Sequence, residues 1–269
     1  MGDHDSRYVA GLDVMATLAG SEDLKKVMTD HFASLGALGS IALRTGTGEI
    51  WSRTQLSRRD RSLVVISMLT ALSRDMELRF HVAGGLNHGL TRDEVDEIMV
   101  QIAPYAGMPT ALAGAGAVAA VFAQQDGTPT RATPPAPMEA KDDAQRRADG
   151  LDFLKTLLGA PDLDPQVTEA AILGQQGEMG NLVIDYAFGD VWVRPQLSRR
   201  DRSVIVISVL TAHNLSHELG IHLKGALNHG VTREEIEEVM ITASLYCGFP
   251  RAIEGMLLAR KLFAEQDAA

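Results

Sequence analysis

A long stretch of this chain is written twice. Trp51-Ser-Arg53-Thr-Gln55-Leu56-Ser57-Arg58-Arg59-Asp60-Arg61-Ser62 returns as Trp192-Val-Arg194-Pro-Gln196-Leu197-Ser198-Arg199-Arg200-Asp201-Arg202-Ser203, an offset of 192 − 51 = 141 residues. At the same offset Glu77, His81, Gly84, Leu86, Asn87, His88, Gly89 and Thr91 recur as Glu218, His222, Gly225, Leu227, Asn228, His229, Gly230 and Thr232. A shared core would preserve apolar character. It does not by itself require a Glu, two His and an Asn to return in register.

The repeat continues upstream, where Arg7 to Leu18 matches Arg146 to Leu157 at an offset of 139, so the second copy gains two residues further along. A unit of this size is too long for a solenoid repeat and long enough to bury a core of its own. Between the copies, Gln124 to Pro137 carries four prolines among small polar residues and reads as an extended linker. The domains are therefore placed at 7–123 and 146–264, with a linker over 124–145.

Within each copy the pattern is helical, and the fold class is all-α with two tandem helical domains. Arg61 to Leu72 has β-branched content that suits a buried strand, but its length and neighbours favour a buried helix. Met76 to His88 reads as a second helix ended by Gly89 at a left-handed C′ position. Thr91-Arg-Asp-Glu94 and Thr232-Arg-Glu-Glu235 are capping boxes; the first opens a helix to about Ala106. Pro109 begins a last helix to about Phe122.

Composition narrows the partners. A net charge of −10 and a pI near 5.2 argue against nucleic acid or an anionic membrane as a partner. An anionic small-molecule substrate remains possible if a local arginine meets it. The single Cys247 excludes an internal disulfide and a CxxC redox pair. Met1 to Asp5 is polar, no apolar run has membrane-spanning length, and a cytoplasmic protein is expected.

Glu77 and His81 lie one helical turn apart on a shared face, with His88 seven residues further on; Glu218, His222 and His229 repeat this. A carboxylate that orients an imidazole makes acid–base equipment, although such pairs also brace exposed helices. His88 and His229 can equally be helix-end caps. Gly84 and Gly85 leave room for a ligand or a second helix. Arg53 and Arg194, each two residues after Trp51 or Trp192, could clamp a carboxylate, or the Trp could simply pack while the Arg stays in water. Tyr105 and Tyr246 could line a pocket or pack in a core or interface. Arg58-Arg59-Asp60-Arg61 reads as a helix start with surface ion pairs. His213 and His217 ahead of Glu218 and His222 raise a metal reading, which a helix break at Asn214 to Ser216 disfavours, and no metal is expected.

These motifs together resemble a known family. Ala187-Phe-Gly189-Asp190-Val191-Trp192-Val-Arg194-Pro195, then Glu218-Leu-Gly-Ile-His222 through Asn228-His-Gly230 to Glu235, then Tyr246-Cys-Gly-Phe-Pro250, are similar to a carboxymuconolactone decarboxylase domain. The likeness spans Ala187 to about Phe263 and, less closely, Gly48 to about Phe122, where Thr54 stands in place of Pro195. The resemblance implies an all-helical fold of the alkylhydroperoxidase D type and ring-shaped assemblies, here a homotrimer supplying six domains. The peroxidase branch carries CxxC where this chain has Arg74 and Glu77, or Leu215 and Glu218, so disulfide-based peroxide reduction is excluded. What it implies instead is cofactor-free decarboxylation of a small carboxylated lactone such as 4-carboxymuconolactone. In that reading His81 and His222 donate protons, Glu77 and Glu218 orient them, and Trp51, Arg53, His88, Tyr105, Trp192, Arg194, His229 and Tyr246 bind substrate. The alternatives are a tailoring enzyme on a larger aromatic or polyketide-like intermediate, and a non-catalytic ligand-binding or assembly protein.

Overall fold

The computed structural model describes residues 6–268; the polar Met1 to Asp5 segment lies outside the described residues. No strand occurs among them, and the chain is all-helical. The first repeat runs α1 (Ser6–Ala19), α2 (Glu22–Ser34), α3 (Ala37–Ile41), a wide π-helical segment π1 (Ala42–Trp51), α4 (Arg58–Ala71), α5 (Asp75–Asn87), α6 (Arg92–Ala106) and α7 (Met108–Asp126). The second follows the same order as α8 (Asp143–Leu157), α9 (Pro165–Gln176), α10 (Glu178–Leu182), π2 (Val183–Trp192), α11 (Arg199–His213), α12 (Ser216–Asn228), α13 (Arg233–Tyr246) and α14 (Phe249–Asp267).

Local chemistry accounts for the boundaries. Ser57 and Ser198 cap α4 and α11 by accepting from the Asp60 and Asp201 amides. Both capping boxes are formed, at Thr91/Glu94 and Thr232/Glu235. Gly89 has φ of 100°, beyond the end of α5 as its position required. Asn214 adopts the left-handed region and breaks the chain between α11 and α12. The two extra residues of the second copy fall in the loop before α9: Gly20 and Gly159 correspond at 139, Gly36 and Gly177 at 141.

Each repeat was expected to bury its own core; instead they share one. Every residue of α4 from Asp60 to Ala71 is buried, as is every residue of α11 from Asp201 to Ala212. A helix that is apolar on all sides needs cover on all sides. For α4 that cover comes from α5, α6 and α7 of its own repeat and from α11 and α13 of the other. The molecule is thus a pseudo-two-fold pair built around two central helices.

The segments before the central helices pack unusually close. A Cβ on Gly11 would run into the Leu43 carbonyl, and one on Gly48 into the Arg7 carbonyl; Gly150 and Gly189 meet Ile184 and Arg146 in the same way. These glycines let α1 lie against π1, and α8 against π2, backbone to backbone. Each π segment ends on the buried Trp51 or Trp192.

The linker between α7 and α8 is not helical, but it is tied down. Arg131 makes a two-pronged pair with Asp96 at 2.7 and 2.8 Å, and Lys141 Nζ reaches Asp149 at 2.6 Å and the Gly189 carbonyl at 3.1 Å. Among the described residues, no helix is long and apolar enough to cross a membrane.

Candidate active site

Both candidate cages are assembled from the two repeats together. In the first, π1 supplies Trp51, α5 supplies His81, and α13 of the other repeat supplies Tyr246. Trp51 stacks on His81 with ring centroids 5.7 Å apart, and Tyr246 meets His81 edge-on at 5.4 Å. Trp51 Nε1 donates to Tyr246 Oη at 2.8 Å, and Tyr246 Oη lies 3.2 Å from His81 Nε2. An indole N–H can only donate, so the Tyr246 proton is directed to His81 Nε2 and the imidazole proton is assigned to Nδ1. The opposite tautomer would leave both the Tyr246 O–H and Nδ1 unpaired. His81 Nδ1 is buried and without a partner.

The second cage mirrors this with Trp192 from π2, His222 from α12 and Tyr105 from α6 of the first repeat. Trp192 stacks on His222 at 6.0 Å, Tyr105 approaches edge-on at 5.2 Å, and Trp192 Nε1 donates to Tyr105 Oη at 2.7 Å. Here the last link is missing: among the described residues, His222 has no hydrogen-bond partner at either ring nitrogen, and neither nitrogen is sealed as His81 Nδ1 is. The Tyr105 proton is likewise not spent on the histidine. Burial pushes both imidazoles down, His81 to about 3 and His222 to about 4, with the neighbouring His88 or His229 adding to the effect. Both rings are therefore neutral at neutral pH.

The helices that carry the tyrosines are held by a pair of buried ionic clamps between repeats. Glu238, Thr242 and Tyr246 sit at i, i+4 and i+8 on α13, one stripe facing the first repeat. Glu238 is held by Arg53 Nε at 2.8 and 3.0 Å and by Arg61 at 2.9 Å, while Arg61 also donates to Thr242 at 2.6 Å. Burial raises the Glu238 pKa, but the bonds from the two arginines outweigh it and hold the group below its ordinary value. On α6 the stripe is Glu97, Gln101 and Tyr105. Glu97 is held by Arg194 Nε at 2.9 Å and Arg202 at 2.7 Å, and Gln101 accepts from Arg202 at 2.7 Å. Around the pseudo-two-fold axis Arg59 pairs with Asp201, and Arg200 with Asp60, each at 3.0 Å.

Several expectations are corrected by this geometry. Arg58-Arg59-Asp60-Arg61 begins α4 as expected and Arg58 pairs with the exposed Asp13, but the run is not all at the surface: Arg61 and Arg202 are 0% exposed, because the other repeat covers them. Arg53 and Arg194 turn Nε to glutamates of the other repeat and do not simply stand in water. Glu77 and Glu218 are exposed and bond to neither histidine, so the orientation read from the four-residue spacing is not theirs to provide. His88 spans Ser62 Oγ at 2.8 Å and Thr17 Oγ1 at 3.0 Å, and His229 spans Ser203 at 2.8 Å and Thr156 at 3.2 Å. With both ring nitrogens occupied, these two brace the fold. Asn87 and Asn228 donate to the Leu18 and Leu157 carbonyls at 2.9 Å, which explains their recurrence. The space at Gly84 and Gly85 is taken by Leu18 and by Ile66 and Leu90, so it serves packing.

His213 and His217 are exposed, and among the described residues no group of three or more His, Cys, Asp or Glu could hold a metal ion. Glu97 and Glu238 went unremarked in the sequence. Their signal was the recurring i, i+4, i+8 stripe ending on Tyr105 and Tyr246.

Comparison with known proteins agrees with this duplicated helical architecture. The chain is 34% identical over 122 residues to nitrosuccinic acid decarboxylase npaB of Metarhizium robertsii, covering 45% of this chain and 84% of that protein. It is 33% identical over 127 residues to 4-carboxymuconolactone decarboxylase of Acinetobacter baylyi, covering 47% of this chain and 93% of that protein. The model of the carboxymuconolactone decarboxylase family matches twice, over residues 37–120 and 177–261, beginning some ten residues upstream of the likeness read from the motifs. Two matches that take in both π segments and all the cage residues place this chain in the carboxymuconolactone decarboxylase family.

Proposed function

We propose that the chain is a decarboxylase of a small carboxylated substrate and that the reaction occurs at the His222 cage. The observation that carries this reading is the pair of uncommitted groups there, the Tyr105 hydroxyl proton and the His222 ring, beside an indole stacked on the imidazole. The substrates in the names of the two relatives, 4-carboxymuconolactone and nitrosuccinic acid, both carry a carboxylate together with an electron-withdrawing group. Loss of CO2 from such a molecule sends the C–C bonding pair into the lactone carbonyl or the nitro group. The carbon then needs a proton.

His222 can supply it. The ring rests neutral because desolvation opposes its charge. A substrate carboxylate entering the cage reverses that balance, since a nearby opposite charge favours the imidazolium. Substrate and proton thus enter together. As CO2 departs, the Tyr105 O–H, oriented by Trp192, donates to the oxygen on which charge develops. The imidazolium then protonates carbon and returns to its neutral state. The protein supplies every group in this sequence, and a cofactor has no step in it.

The test is CO2 release from 4-carboxymuconolactone and from nitrosuccinate, comparing the wild type with His222→Ala and with the His81→Ala, His222→Ala double variant. Release that survives in the folded double variant would sink the assignment. We further propose a homotrimer, supported by exposed apolar side chains at matching places on α7 and α14, Met108 and Leu112 against Phe249 and Ile253. Sizing at the 28.9 kDa of one chain would exclude it.

A further inference from the structure

The two arginines that follow the cage tryptophans differ in what they hold. Arg53 turns both Nε and an Nη group to Glu238 and is 37% exposed. Arg194 gives only Nε to Glu97 and is 10% exposed. Its Nη groups turn away to the linker, donating to the Pro137 carbonyl at 3.3 Å and the Ala136 carbonyl at 3.4 Å. Among the described residues, linker carbonyls meet the Arg194 guanidinium and none meets that of Arg53. The linker forms one wall of a half-open pocket of ≈ 310 Å³ lined also by Arg194, Val191 and Ala103, with Ala136 and Met138 as the linker's share.

We propose that Arg194 and Glu97 are positioning residues for the His222 cage, and that linker residues Ala136 and Pro137 are the third member of the same device. The inference rests on the decarboxylase reading given above. A chain of contacts runs from the linker carbonyls through Arg194 to Glu97, and Tyr105 lies two turns beyond Glu97 on the same stripe of α6. Eight residues of helix span ~12 Å, so a small rotation or slide of α6 at Glu97 is carried to the Tyr105 hydroxyl. Arg202 neutralises the Glu97 charge from inside the core, whereas Arg194 fixes that end of α6 to the outer strap. Arg194 also follows Trp192 by two residues, so one side chain ties the strap to both aromatic walls of the cage. At the first cage Arg53 has no strap to hold. The device belongs to the second site alone.

Arg194→Lys is the informative variant, because an ammonium cannot bridge a carboxylate and two carbonyls in the guanidinium's fixed geometry. Arg202 still pairs with Glu97 in it, so the core charge stays compensated and the chain folds. A second variant replaces residues 133–138 with six Gly and Ser residues, keeping the connection and loosening the strap. The first readout is the NMR signal of the His222 imidazole, whose shift is set by the Tyr105 edge and the Trp192 face; the His81 signal is the internal control. Both variants are expected to shift His222 and leave His81 in place, and Arg53→Lys is expected to leave His222 in place. The second readout is kinetic: a fall in kcat on the order of 10- to 100-fold with KM within about twofold, as a misplaced donor produces. An unmoved His222 signal in Arg194→Lys overturns the positioning role. A moved signal in a protein that releases no CO2 from either substrate keeps the positioning role and overturns the decarboxylase reading.

Discussion

The His81 cage and the His222 cage hold the same residue types in nearly the same places, yet in one the hydrogen-bond chain reaches the histidine and in the other it stops short. In the first, Trp51, Tyr246 and His81 form an unbroken chain of hydrogen bonds, and the remaining imidazole nitrogen is sealed. In the second, the chain stops at the tyrosine, and the histidine nitrogens are unbonded. A chain that reaches the histidine commits the tyrosine proton; one that stops short leaves that proton and both ring nitrogens unspent. In the reading proposed above, the first cage serves as a brace and the second keeps the groups that do chemistry. The motif likeness points the same way, being closer in the second repeat and keeping Pro195 where the first has Thr54.

The largest expected effect would break this comparison outright if it went the other way. His222→Ala should lower kcat by about 10²- to 10⁴-fold, the range of a general acid, while His81→Ala should cost stability and leave kcat within a few-fold. Steady-state kinetics beside thermal melts read both. Tyr105→Phe comes next: loss of an aimed donor is expected to cost about 10²-fold in kcat. Tyr246→Phe, which removes a buried hydrogen bond, should instead cost ~1 kcal/mol of folding stability in denaturant titrations.

Acidity sharpens the same contrast. The free His222 ring is pushed down to about 4, and the proposed reaction requires it protonated. The logarithm of kcat/KM should therefore fall about one unit per pH unit as pH rises from 4 through neutrality. A flat profile over that range would remove His222 as the proton donor. Stability runs in the opposite direction. His81 is held at about 3 and His88, His222 and His229 at about 4, against ~6.5 in an unfolded chain. Their contribution is complete above pH ~6.5 and is lost as pH falls through 4, because the unfolded chain then binds the extra protons. Melting temperature should drop over that window, and less so in a His88→Gln variant. The smallest effect is expected at Glu218 and Glu77: exposed and unbonded to the imidazoles, their Gln variants should stay within ~0.5 kcal/mol and twofold in kcat.

The sequence was readable wherever the relevant partner was close along the chain. Capping boxes, the left-handed Gly89, the buried helix after Arg61 and the break at Asn214 all depend on neighbours within a turn or two. The tryptophans, histidines and tyrosines of the cages were visible as recurring residues, but their pairing was not, because Tyr246 meets His81 across 165 residues. The same distance hid the arginines. Arg61 looked like a surface charge because its counter-charge, Glu238, is 177 residues away on the other repeat. Glu77 and His81 show the converse error: four-residue spacing put them on neighbouring positions, yet burial drew the imidazole inward and left the carboxylate in water.

Because each cage takes its tyrosine from the opposite repeat, neither half of the chain owns a site. The second cage is written partly in Glu97, Gln101 and Tyr105, residues of the first repeat. A substitution in one half is therefore felt as altered geometry in the other. Division at the linker would yield two fragments with no cage between them, each also missing one wall of its core. What began as repetition has become mutual dependence, in which the repeat that carries His81 also furnishes the hydroxyl beside His222.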